Sequence, residues 1–261
     1  MKRNEIRKNA VISAIFLLLL IGGRQTILRG GNNCENPMTL RVDSIVNIPM
    51  AYVKGGTFTM SRGKTKQYDV EDEKTARRVT LPDYLIGKFE VTQSEWVAVM
   101  DSNPSYFRGG NLPVDNVNWF DAQEFIKKLN ELTGKHFRLP SEAEWEFAAR
   151  GGNKTHDYDY SGSNNPDKVA WYSDDNDETH PVGTKLPNEL GIYDMSGNVW
   201  EWCNDRYVDS RTDLDGTTME AYHIYKDANW SDSDAQISSR GYSTPYYHDN
   251  AIGFRLAQDI K

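Results

Sequence analysis

The stretch Leu112–Gly152, LPVDNVNWFDAQEFIKKLNELTGKHFRLPSEAEWEFAARGG, holds two helices that can be read from their own chemistry. Ala122, Phe125, Ile126, Leu129 and Leu132 recur at three- and four-residue steps, which predicts a helix over about Phe120–Thr133 with one apolar stripe. Gly134 then serves as its stop, because glycine enters the left-handed conformation that closes a helix without a Cβ penalty. The next helix follows Pro140. Ser141-x-x-Glu144 is a capping box, and Trp145, Phe147 and Ala148 anchor the segment before Gly151 ends it. Arg138 and Arg150 can pair with Glu142, Glu144 or Glu146, so the charges of this block read as architecture.

Upstream, Thr92-x-x-Glu95 is a second capping box, and Trp96, Val99 and Met100 continue it at helical spacing. Earlier still, IPMAYVKGGTFTM (Ile48–Met60) predicts a strand, a turn at Gly55-Gly56 and a second strand. Lys64–Arg78 is a charged loop, and VTLPDYLIGKFEVT (Val79–Thr92) resumes short strands. Downstream of Gly152 the chain changes character: Asn, Asp, Gly, Ser and Tyr dominate, and the loops are long. Long ordered loops in a compact domain are usually functional ones. There is no internal repeat.

Composition narrows the function. The 261 residues carry a formal charge of −8, and the acidic balance excludes a nucleic-acid footprint, which needs clustered Lys and Arg. Lys2, Arg3, Arg7 and Lys8 precede Ala10–Ile21, an apolar run shorter than the roughly 20 residues of a membrane span. Those features fit a secretory signal peptide. No small-x-small pattern ends the run, so an uncleaved anchor with membrane association is the alternative. Residues 1–47 are therefore expected to be leader and polar linker, and 48–261 the folded domain. Of two cysteines, Cys34 lies in the leader-proximal segment and Cys203 in the domain; neither has a partner at zinc-ligand spacing. An oxidising compartment would allow a Cys34–Cys203 bridge, but the position of Cys34 argues against it.

FEVTQSEWVAVMDSNPSYF (Phe89–Phe107), the opening stretch, HPVGTKLPNELGIYDMSGNVWEWCNDRY (His180–Tyr207) and NAIGFRLA (Asn250–Ala257) together resemble the formylglycine-generating enzyme, or sulfatase-modifying factor, family, in the family's order. The resemblance covers roughly Ile48–Ala257. It implies a mixed α/β fold related to C-type lectins, loop-rich, with short strands and about three main helices.

The resemblance also implies structural calcium. Carried over residue by residue, Asp194 and Glu201 would give side-chain oxygens, with the backbone carbonyls of Gly197 and Val199 between them; hard cations need several such oxygens. The other reading is that Asp194 caps the turn before Gly197 and Glu201 pairs with an arginine. The acidic loop AWYSDDNDETHPVG (Ala170–Gly183) lacks EF-hand spacing and reads as solvated. In GNVWEW, period-two alternation places Trp200 and Trp202 on one strand face and Glu201 on the other.

Formylglycine generation in the family uses copper held by two cysteines near the C-terminus, between a Gly-Gly-Ser-aromatic block and a Gly-Phe-Arg ending. Here Asp227-Ala228-Asn229 precedes Trp230, and Trp230–Phe254 contains no cysteine. Soft thiolates hold Cu(I), and oxygen ligands replace them poorly. Copper and the oxidase reaction are therefore not expected. Relatives that join sulfur to histidine derivatives need a separate His-rich domain, and the five histidines here show no HxxxH or HxH grouping. No catalytic constellation remains. What is expected instead is a binding or scaffold module for a protein or surface ligand, with Trp230, Tyr242, Tyr246, Tyr247 and His248 as ligand-binding candidates and Tyr225 presented beside them. Tyr among Ser, Gly and Asn is the composition of adaptable recognition surfaces. Retroelement-diversified binding proteins, which share the fold, end in a similar block and are an alternative.

Overall fold

A computed structural model of the chain describes residues 46–60, 76–173, 177–207 and 222–260. The leader, Cys34, Lys64–Thr75, and Asp174 and Asp175 of the acidic loop lie outside the described residues. Strands β1 (Met50–Val53), β2 (Gly56–Met60), β3 (Arg77–Leu81) and β4 (Tyr84–Gly87) come first. Helix α1 (Gln93–Met100) and helix α2 (Trp119–Thr133) follow, then β5 (Phe137–Arg138) and helix α3 (Glu142–Ala149). The remaining strands are β6 (Trp200–Arg206), β7 (His223–Lys226), β8 (Arg240–Ser243), β9 (Ile252–Gly253) and β10 (Ala257–Asp259). The fold is mixed α/β, as expected, with long loops between α3 and β6.

The three α-helices among the described residues all start on capping boxes: Thr92 with Glu95, Asn118 with Asp121, and Ser141 with Glu144. The second begins one residue earlier than its apolar stripe indicated. Its cap is an Asn–Asp pair in which each side chain accepts from the other's backbone N–H at 3.0 Å. Ala122, Phe125, Ile126 and Leu129 of α2 are buried, whereas Leu132 is only partly so. Each fully buried Phe or Leu contributes roughly 1.5–3 kcal/mol. Gly134 closes the helix at φ 69°. Helix α3 is buried at every position, charged residues included.

The strands around Gly55-Gly56 form, but they do not pair with each other. β1 joins a four-stranded sheet of order β1-β4-β10-β5, and β2 pairs only with β3. The Pro82-Asp83 corner explains the split. The Asp83 carboxylate accepts from the Gly55 N–H at 2.9 Å, and a Cβ on Gly55 would lie 2.3 Å from the Leu81 carbonyl oxygen. The two corners are pressed together, so each strand leaves toward a different partner.

The other four-stranded sheet has the order β8-β7-β6-β9, with β6 and β9 parallel. β6 divides the interior: Trp202 packs with Trp96, Phe125 and Phe254, and Cys203 packs with Trp145, Ile192 and Ile224. Trp200 sits on the Trp202 side, while Glu201 faces Trp145 and Arg255. That is the alternation expected of a strand.

Candidate ligand cavity and buried acid network

On the Trp202 face of β6, Trp200 reaches over β7 and stacks on Tyr225 with centroids 5.0 Å apart. Beside that stack lies a cavity of about 330 Å³, bordered by Trp200, Tyr225, Asp232, Arg240 and Tyr247. Asp227, Ser239 and, from β8, Gly241 and Ser243 complete the wall. Gly241 must lack a side chain because a Cβ there would meet the Tyr225 ring at 2.2 Å. The Trp200 indole donates to Asp232 at 2.8 Å, and Asp232 also accepts from the Asn229 N–H at 3.0 Å. Arg240 borders the cavity, but its guanidinium makes two bonds to Glu142, at 2.7 and 3.1 Å, and lies 5.7 Å from the Tyr207 ring centre. Neither of those partners lines the cavity.

The five candidates read from the sequence do not form one constellation. Tyr247 lines the cavity and packs against the core. Tyr242 stands on the opposite face of β8 from Gly241 and Ser243, stacked on Tyr207 at 3.8 Å. Tyr246 is exposed and tilts against Phe120, 5.2 Å away. His248 bonds through Nδ1 to Asn116 Oδ1 at 3.0 Å. Trp230 is partly buried, edge-on to Phe107 at 5.6 Å, and its backbone N–H donates to the Asn198 carbonyl. Trp200 and Asp232 are the residues that sequence reasoning left out of the site. Trp200 was hidden inside a motif that reads as core.

Asp227, which lines the cavity, belongs to a network of buried charges with Glu201 and Arg255. Arg255 and Glu201, both fully buried, share two bonds of 2.6 Å, and the Trp145 indole donates to the same carboxylate at 2.8 Å. Arg255 also donates to the backbone carbonyls of Gly87, Tyr193 and Asp194. Burial pushes the Glu90 carboxyl well up, with Asp194 and Glu201 adding to it. Burial likewise raises Asp194 to about 6. It raises Asp227 well above the carboxylate range, and Glu201 contributes. Burial is the leading cause for all three, and neighbouring carboxylates add to it.

Among the carried-over calcium residues, Gly197 and Asp194 shape the turn. Gly197 has φ 90°, and a Cβ there would lie 2.1 Å from the Trp171 carbonyl oxygen. Asp194 Oδ2 accepts from the Gly183 N–H at 2.6 Å, while its buried Oδ1 has no hydrogen-bond partner among the described residues. Glu201 uses three of about four lone-pair positions on Arg255 and Trp145. Asp194 Oδ1 and one lone pair of Glu201 are the side-chain oxygens left over for a hard cation, and among the described residues no group of three or more His, Cys, Asp or Glu stands together to hold a metal ion. A cation there would have to share Glu201 with Arg255.

Cys203 is a free, fully buried thiol. Burial raises it well above the thiol range, and Asp205 and Glu142 add to the effect, so the thiolate needed for metal or nucleophilic chemistry is disfavoured. Of the histidines, His223 stacks on Trp119 at 3.9 Å. Burial, with Arg206 nearby, lowers it to about 4, which keeps it neutral near pH 7.

A family model described as the sulfatase-modifying factor enzyme 1-like domain matches residues 22–260. The chain belongs to this family. The chaperone protein LppX of Paenibacillus barcinonensis is 35% identical, over 76% of this chain and 85% of that protein. The inactive C-alpha-formylglycine-generating enzyme 2 of Bos taurus is 32% identical over 56% of the chain; the match spans 50% of that longer protein. Among solved structures, Treponema denticola variable protein 1 is similar with a TM-score of 0.68 and 30% identity, over 80% of this chain and 94% of that one. The family thus includes members named for chaperone function and for inactivity, beside its enzymes.

Proposed function

We propose that this chain is an exported, non-catalytic member of the formylglycine-generating enzyme family that binds a protein or surface ligand at the cell envelope. The observation that carries the reading is the segment Trp230–Phe254. The resemblance places the copper cysteines there, this sequence has none, and the same segment supplies Asp232, Arg240, Gly241, Ser243 and Tyr247 to an aromatic cavity. The only described cysteine is buried in the core. Export rests on the basic and apolar pattern of the leader; among the described residues, no helix is long and apolar enough to cross a membrane.

Asp194, Glu201 and the carbonyls of Gly197 and Val199 are proposed to hold a structural calcium ion that tightens the turn entering β6. The binding reading predicts that Tyr246→Ala, at an exposed ring, abolishes partner capture from an envelope extract and leaves the melting temperature within about 2 °C, as surface substitutions do. Unchanged capture would remove Tyr246 from the interface. A second reading is a retroelement-diversified ligand-binding protein; what supports it is the segment rich in Asn, Tyr, Ser and Asp that precedes the Ile252–Ala257 ending. An oxidase with a degenerate site is the remaining alternative.

A further inference from the structure

Resting on the binding reading above, we propose that the cavity between β6, β7 and the Tyr247 loop takes the quaternary ammonium head of a ligand. Three aromatic rings border it: Trp200, Tyr225 and Tyr247. Ring faces attract cations through their quadrupole, tryptophan most strongly. Two of these rings are also polarised from their edges. The Trp200 indole donates to the Asp232 carboxylate at 2.8 Å, and the Asp249 carboxylate acts on the Tyr247 hydroxyl. Donating a proton toward an anion increases the electron density of the ring.

The charge around the cavity agrees. Asp232 lines it and Asp249 stands behind Tyr247, and both act on the Tyr225 phenol, which burial and then Tyr247 raise most. The one bordering cation, Arg240, has Nε and Nη2 committed to Glu142 and stands by the Tyr207 ring. An anionic ligand would therefore meet Asp232, with two of the three nitrogens of the one bordering guanidinium already paired to Glu142. A volume of about 330 Å³ is at the small end for ligand sites and suits a compact head group.

Calorimetric titration of the whole chain with choline, with its uncharged carbon isostere 3,3-dimethyl-1-butanol and with methyl α-glucoside tests this. Choline is expected to bind about tenfold or more tightly than the isostere, the margin that cation–π contacts give when desolvated. Tyr247→Leu should weaken choline about tenfold, and Tyr247→Phe, which keeps the ring and loses the hydroxyl on which Asp249 acts, should weaken it a few-fold. The Phe variant carries the test if the Leu variant does not fold. Equal binding of choline and isostere, or choline binding indifferent to Tyr247, would overturn the proposal. Glucoside binding without choline binding would overturn the charge argument alone and leave the cavity as a ligand site. If none binds and the Tyr246 variant also retains its partner, the binding reading falls as well.

Discussion

Lys226→Met tests how the interior of this scaffold is held. Lys226 and Glu146 are fully buried, with Nζ 3.0 Å from Oε2, and Lys226 also lies 5.7 Å from the Trp145 ring centre. Glu146 receives two further bonds from Arg150, at 3.0 and 2.9 Å, both on the other carboxylate oxygen. Removing one partner of a buried ion pair typically costs about 3–5 kcal/mol, because the remaining charge is left uncompensated. Arg150 keeps half of the Glu146 carboxylate satisfied, which lowers the expectation to about 2–4 kcal/mol. For a domain of this size that is a fall in Tm of about 4–16 °C. Methionine preserves most of the side-chain length, so the loss reports charge rather than a cavity. Thermal and urea unfolding of the single variant, of Glu146→Gln and of the double variant give the coupling between the two residues. A Lys226→Met protein within about 0.5 kcal/mol of wild type, or strictly additive singles, would refute the view that α3 is fastened through its glutamates.

Two other perturbations follow from the buried carboxyls. Asp115 is fully buried, accepts from the Tyr106 N–H, and is pushed up to about 7 by burial. Its unfolded value is about 3.9. Between those values the folded state holds the extra proton, so the stability it contributes is full below about pH 4 and lost as pH rises toward 7. The Tm of wild type relative to Asp115→Asn should therefore decline across that range, and parallel curves would show that Asp115 does not titrate there. For calcium, chelation should lower Tm by about 5–10 °C if the free ion had stood a hundredfold above its Kd. An unchanged transition would remove the ion from Asp194 and Glu201.

What the sequence made legible was local. The Thr92 and Ser141 capping boxes and the glycine stop at Gly134 need only their neighbours, and all three formed. The Asn118 cap escaped because Asn–Asp is a less familiar pair than Ser or Thr with Glu. Strand pairing escaped for a different reason. β1 chooses β4 over the nearer β2 through a corner contact 28 residues away, and such long-range contacts leave no periodicity. The site divides in the same way. Composition pointed to the aromatic C-terminal segment, and Tyr247 does line the cavity. The same composition could not tell that Tyr242 faces away, or that Trp200 reaches the cavity from a block that otherwise forms the core. Glu201 illustrates the limit well: both readings of it were available in sequence, and its bond to Arg255 spans 54 residues.

Whether this scaffold holds a ligand or oxidises a cysteine is decided most directly by incubating the purified chain, with Cu(I) and dioxygen, with a Cys-x-Pro-x-Arg peptide and trapping any aldehyde for mass analysis. With no cysteine from Trp230 to Phe254 to hold copper, the peptide should be recovered unmodified. Catalytic aldehyde formation by a folded sample, lost on Cys203→Ser or on copper chelation, would contradict the binding-module reading outright.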